Sequence, residues 1–231
     1  MRIKLIGCHS TMNEVNAQGL SRGVDCEFLD FNFHARPDKL HAKIQKIINE
    51  SQDYELIILT YGRCSNSMLG LLSPRVPLLF PSTHDCIGLM LGSKARHMEL
   101  FKENSLTYYF SQGWLDYGRT PLAEYYEYEA RYGEKKARKL MKILYGSYQK
   151  AIFIITPGIS DLEPYRLKVQ EIADFFDWEV GEIEGDISLL TSVVQGIRAP
   201  ESIYVEAGQE ITLEMLAGGN HENNDHAESS R

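Results

Sequence analysis

The sequence predicts an α/β fold: an open, mostly parallel, Rossmann-like sheet with helices on both faces. Short runs rich in β-branched and aromatic residues alternate with longer segments of helical periodicity along the chain. Several of the short runs, such as ELIILTY (55–61) and AIFIITPG (151–158), are apolar without alternation, as in strands covered on both faces. Strands separated by helices, with no internal repeat, imply parallel pairing through crossover connections.

Taken in order, IKLIG (3–7) is the first strand. Thr11-x-x-Glu14 has the form of a capping box, so a helix is expected to follow to about Leu20. VDCEFLDF (24–31) is the second strand, and Pro37 opens a helix whose Leu40, Ile44, Ile47 and Ile48 fall on one face. After the third strand (55–61) and the turn GRCSNS come a short helix at 68–72, a fourth strand at 76–80, a helix over 85–103 and a strand at 107–111. GWLDYGRTP (113–121) reads as a loop.

One long helix is expected over 121–148, with Ala137, Leu140, Met141, Leu144, Tyr145 and Tyr148 as its apolar stripe. Its glutamates come early and its lysines late, as the helix dipole prefers. The basic cluster KKARKLMK (135–142) reads as a solvated face and not as a partner-binding patch. A strand at 151–158, a helix at 162–176, the strand WEVGEIE (178–184), a short helix after Asp186, a strand at 202–208 and the ITLEML segment complete the series. The expectation is one domain over 1–217, in which the helix at 121–148 bridges lobes at 1–120 and 150–217. The polar tail at 218–231, with His221 and His226, is expected to be disordered and to contribute no ligands.

Composition narrows the function. A net charge of −8 argues against a general nucleic-acid binder, whose footprint is basic. No apolar run approaches the roughly 20 residues of a membrane span, and MRIKLIGCHS turns polar too soon for a secretory signal. The expected location is the cytoplasm. Four cysteines in that compartment point away from a disulfide framework, and any that gather are read as metal-binding or catalytic.

Three of them fall where such a site would form. In open α/β sheets ligands bind outside the carboxyl ends of the strands. Cys8 follows the first strand, Cys64 the third, and Cys86 the fourth, each ahead of a helix whose N-terminus favours a thiolate. His84-x-Cys86, in STHDC (82–86), adds an imidazole, so Cys8, Cys64, His84 and Cys86 make a candidate Cys₃His metal set. Against this stands the ordinary reading, in which cysteines fill cores and His9 and His84 cap helices or face solvent. Cys26, inside a strand, is read as a small hydrophobe. Ser65, Asn66 and Ser67, and Thr156-Pro157-Gly158, are candidate hydrogen-bonding groups for a ligand, with capping and turn formation as their alternative role. Trp114 and Tyr117 are candidates to wall a pocket, or Trp114 to pack on the long helix. There is no GxGxxG after the first strand, no P-loop and no GxSxG elbow.

A first strand ending in Gly-Cys, then YGRC with small polar residues, HDC opening a helix with Gly92, and GWL occur here in order. Together they resemble the domain-of-unknown-function 1638 family. The resemblance implies a cysteine-containing α/β protein of the kind encoded near corrinoid-dependent methyltransferase systems, with Cys8, Cys64, His84 and Cys86 as matching positions. The chain departs from the commoner pattern after Cys64, where Ser65-Asn66-Ser67 replaces glycine. The expectation is therefore a cysteine-ligated metal protein of one-carbon or corrinoid methyl metabolism, with methyl transfer to a thiol as its reaction. The His-x-Cys pair favours zinc, and three cysteines alone would suit an iron–sulfur cluster. The partner would be a small-molecule substrate or a corrinoid protein. The alternatives are a non-catalytic accessory protein, as carrier or methyltransferase chaperone, and a small-molecule binder whose cysteines only pack.

Overall fold

The computed structural model describes residues 1–63 and 66–217. Its elements in chain order are β1 (Ile3–Cys8), α1 (Met12–Ala17), β2 (Val24–Leu29), α2 (Pro37–Glu50), β3 (Leu56–Thr60), β4 (Leu78–Pro81), α3 (Cys86–Met90), α4 (Lys94–Glu103) and β5 (Thr107–Phe110). They continue with α5 (Gln112–Tyr117), α6 (Pro121–Tyr132), α7 (Glu134–Tyr145), β6 (Lys150–Ile155), α8 (Glu163–Phe176), β7 (Glu179–Glu184), α9 (Ser188–Val194), β8 (Ser202–Val205) and α10 (Leu213–Ala217).

The strands form two sheets. The first has the order β2-β1-β3-β4-β8, parallel except for β8, which runs antiparallel to β4. The second, β5-β6-β7, is wholly parallel. The α/β, mostly parallel, Rossmann-like class expected from the alternation is the class observed. Across the segments expected as lobes, β5 pairs with β6, and β8 returns to β4.

Period-two alternation distributes the first sheet between two cores. Ile6, Cys8, Ile57, Leu59, Leu78 and Phe80 face α2, with its Leu40, Ile44, Ile47 and Ile48. Leu5, Ile58 and Leu79 face the other way, onto Val15 of α1, Leu89 of α3 and the apolar residues of α9. On the second sheet, Phe110, Ala151 and Phe153 pack on α5 to α8, while Ile154 packs on Met90 and Leu91. The short helix α3 therefore serves both sheets, Leu89 in one core and Met90 in another. Trp114 likewise borders the α2 core and the core of the second sheet.

Three expected elements differ for identifiable reasons. The helix expected over 121–148 is two helices broken at Gly133, whose φ of +79° is a backbone that L side chains rarely adopt. The helix expected over 85–103 is broken the same way at Gly92 (φ +73°), after which Ser93 caps α4 through the amides of Ala95 and Arg96. The expected loop at 113–121 instead contains α5, capped by the Ser111 hydroxyl on the Trp114 amide. Of residues 68–72, expected as a short helix, 68–70 form a turn and Leu72 makes an isolated bridge with Glu210. The expectation for the tail at 218–231 falls outside the described residues.

The two sheets meet at backbone level. A methyl group on Gly113 would overlap the carbonyl of Ser10, just past the end of β1. Gly113→Ala should therefore destabilise the protein by about 1–3 kcal/mol through overpacking. Urea unfolding measures the loss, and a variant as stable as the wild type would show that the junction yields freely.

Candidate functional site

The loops after β1, β3 and β4 lie side by side. The Tyr61 hydroxyl donates to the Gly7 carbonyl (2.9 Å), and the Arg63 amide donates to the Thr83 carbonyl (2.9 Å). Gly62 is so close to Thr83 and Asp85 that a side chain there would strike both backbones. The Thr11 hydroxyl donates to the Cys8 carbonyl and meets the Thr60 hydroxyl, both at 3.0 Å. Across from them stand the loops after β5 and β6. Gln18 donates to the Pro157 carbonyl (2.8 Å), and Asn13 to the Asp116 carboxylate (2.8 Å). The carboxyl ends of both sheets thus share one seam, the position where open α/β sheets bind ligands.

Cys8 ends β1 with 5% of its surface exposed and sits in the α2 core near Phe31 and Trp114. Burial pushes its thiol up, and the Ser10 hydroxyl and amide offset only part of that. The lowered pKa expected from a helix N-terminus is therefore not found at Cys8. Cys86 is the first residue of α3 and half-buried, while His84 is exposed. Cys64 and Ser65 lie outside the described residues. Asn66 is exposed, with φ +61°, and its side-chain oxygen accepts from Arg63 Nε (2.9 Å), which is turn formation. Cys26 is half-buried in the edge strand β2, against the α1 and α9 side. Among the described residues no group of three His, Cys, Asp or Glu side chains is placed to hold a metal ion, so Cys8, His84 and Cys86 do not form one between themselves.

What the seam does form is a cleft of about 350 Å³, whose walls include Cys86, Asp85, His97, His34, Trp114 and Tyr108. Asp85 caps α3, its Oδ1 accepting from the amides of Ile87 (3.0 Å) and Gly88 (3.3 Å). The same oxygen lies 3.6 Å from Nδ1 of His97, which α4 delivers and the edge of Tyr109 flanks. His34 stacks on Phe31 (4.8 Å between ring centres), which meets Trp114 edge-on (4.4 Å). Burial lowers the His34 pKa, and the nearby charge of Asp85 opposes this only partly, so the ring is neutral at pH 7. Of the residues expected to bind a cofactor, Trp114 is thus at a ligand-sized cleft, held there by aromatic contacts to Phe31 and Tyr108.

Deeper in the seam the capping box is replaced by something else. Thr11 gives its hydroxyl to Cys8 and Thr60 and caps no helix amide, and Glu14 is fully buried. Its Oε1 accepts from the Thr156 hydroxyl at the end of β6 (3.0 Å), and its Oε2 has no partner among the described residues. Burial pushes this carboxyl up to about 7 against the pull of its own amide and Thr156, and Asp116 adds to the rise. Sequence reasoning missed Glu14, His34 and His97. The local sequence marks Glu14 only as a helix cap and His34 and His97 not at all, because each is brought to the seam by tertiary packing. Asp85 had a signal, a helix-capping residue before an apolar run.

These features define an α/β protein with one mostly parallel and one parallel sheet and a ligand-sized cleft between their carboxyl edges. The chain belongs to the family described as protein of unknown function (DUF1638), whose model matches residues 28–194. The matched region contains His34, Cys64, Asp85, Cys86, His97 and Trp114, and leaves Cys8 and Glu14 outside it. Neither a curated protein nor a solved structure matches the chain.

The raised carboxyl of Glu14 gives a signed expectation. In the folded chain it keeps its proton to about pH 7, whereas its ordinary value is 4.5. Its contribution to stability is therefore intact below pH 4.5 and is lost as the pH rises through 7. Glu14→Gln, which cannot ionise, should gain on the wild type by on the order of 3 kcal/mol between pH 4 and pH 8. Urea unfolding at the two pH values tests this, and a difference between the two proteins that does not change with pH would show that Glu14 titrates alike in the folded and unfolded chain.

Proposed function

We propose that the protein binds a small molecule in the cleft where its two sheets meet, presenting the Cys86 thiol to it. The observation that carries this is the company Cys86 keeps: two histidines and a carboxylate share its aromatic-walled cleft at the carboxyl edge of parallel strands. A volume of about 350 Å³ lies in the range that holds small ligands. Tyr108 and Trp114 offer flat faces to an apolar or planar body. Asp85, fixed by two backbone amides, lies 3.6 Å from Nδ1 of His97, and the imidazole adds a group able to exchange a proton with a ligand. His34, neutral, adds a hydrogen-bonding group without adding charge.

A second reading keeps the thiolate-bound metal. It is supported by the contact between the loops after β3 and β4, Arg63 to Thr83, which brings the chain just before Cys64 beside the loop that carries His84 and Cys86. Cys64 would have to complete the set with Cys86 and with Cys8 or His84. The metal would be zinc, or with cysteines alone an iron–sulfur cluster. A corrinoid protein would then be the partner, and methyl transfer to a thiol, or carriage without catalysis, the role.

One experiment separates the two. Protein purified without oxygen is analysed for metal, then treated with iodoacetamide, and the labelled cysteines are mapped by mass spectrometry. The first reading expects no stoichiometric metal, labelling of Cys86 roughly tenfold faster than buried Cys8, and a change in tryptophan emission on labelling that Trp114→Phe abolishes. About one zinc per chain, or iron with sulfide, shielding Cys64 and Cys86 together and lost in Cys64→Ser, would establish the second. Slow, uniform labelling in a metal-free protein would refute both.

A further inference from the structure

The hairpin of α6 and α7 is buried on one side only. Leu122, Tyr125, Ala137 and Met141 pack on the second sheet's core. On its outer side the two helices enclose a groove of about 530 Å³, lined by Tyr128, Tyr132, Lys136, Lys139, Leu140 and Ile143. Tyr132 is 46% exposed, Leu144 47% and Ile143 70%, although the expected apolar stripe placed Leu144 inward. A purely solvated face has no reason to carry this apolar floor.

The charges around the groove are unbalanced in a specific way. Acids of the hairpin already have partners: Glu124 and Glu127 pair with Arg119, just before α6, Glu129 accepts from the Tyr125 hydroxyl, and Glu134 pairs with Arg138. Lys136 and Lys139 make no ion pair among the described residues, in a chain whose net charge is −8. Along α7, Lys136, Lys139 with Leu140, and Ile143 follow one another at intervals of three to four residues, so cationic and apolar groups share one stripe, and Tyr132 at the end of α6 lines the same groove. This is the pattern that receives an amphipathic helix laid along a groove.

We propose that this groove docks an acidic amphipathic helix of a partner protein, with apolar side chains over Tyr132, Leu140 and Ile143 and carboxylates against Lys136 and Lys139. A second copy of the same hairpin, related by a twofold axis, would bring like-charged lysines together. A lipid surface, being flat, would leave the concavity unfilled.

The test uses the whole chain and a fluorescein-labelled, end-capped 14-residue helical peptide with leucines at i, i+3, i+7 and i+10 and glutamates beside them. Fluorescence anisotropy should show saturable binding that weakens as salt rises. Lys136→Glu with Lys139→Glu, and separately Ile143→Glu, should each weaken it at least about tenfold with an unchanged circular dichroism spectrum. Lys46→Glu, on α2, should leave it unaltered. Several outcomes would overturn the proposal: no binding, equal binding by the groove variants, or equal binding of a peptide with lysine in place of glutamate. So would self-association in sedimentation that Ile143→Glu abolishes, or binding to phosphatidylserine vesicles in place of the peptide.

Discussion

The structure depends on one steric fact, the approach of the α5 backbone to the end of β1 where Gly113 lies against the Ser10 carbonyl. That contact holds the carboxyl edge of the mostly parallel first sheet against that of the parallel second. With the edges this close, Glu14 can reach Thr156, Trp114 can border two cores, and α3 can serve both sheets with adjacent residues. The cleft is what remains of the seam where the two edges diverge around Cys86 and Trp114.

Burial, more than pairing, sets the protonation of the seam. Glu14 holds its proton, the Cys8 thiol is disfavoured as thiolate, and His34 is disfavoured as a cation. Each departs from its ordinary value in the direction that removes charge from a dry interior. The carboxylate that lines the cleft, Asp85, is held by two amides of α3, with His97 Nδ1 3.6 Å away. The seam therefore has a neutral floor and a polar rim, an arrangement in which ligand charge would be met at the rim.

Much of this was legible in the residues. Alternation and apolar runs gave the class and nearly every strand, because burial on both faces of a parallel sheet leaves a local signature. The breaks at Gly92 and Gly133 were not read, since a single glycine inside a helical pattern signals either tolerance or a stop, and only the backbone decides. At the site, the rule of carboxyl strand ends put Cys86 and Trp114 on the edge where the cleft lies. It could not say that Cys8 turns into the core, because side-chain direction follows from register, and one residue of register reverses the face. Glu14 was assigned to a cap on its spacing from Thr11. Spacing fixes what two residues can do for each other, and here Thr11 and Glu14 are each engaged elsewhere, with Thr60 and Thr156.

The antiparallel return of β8 to β4 has a consequence for how the chain is made. The whole second sheet, from β5 to β7, is synthesised between β4 and the strand that completes the first sheet. As the chain leaves the ribosome, β4 presents an unpaired edge until Ser202–Val205 emerges. The first sheet to begin is in this sense the last to close, and a chain truncated before β8 would carry that open strand edge for its lifetime.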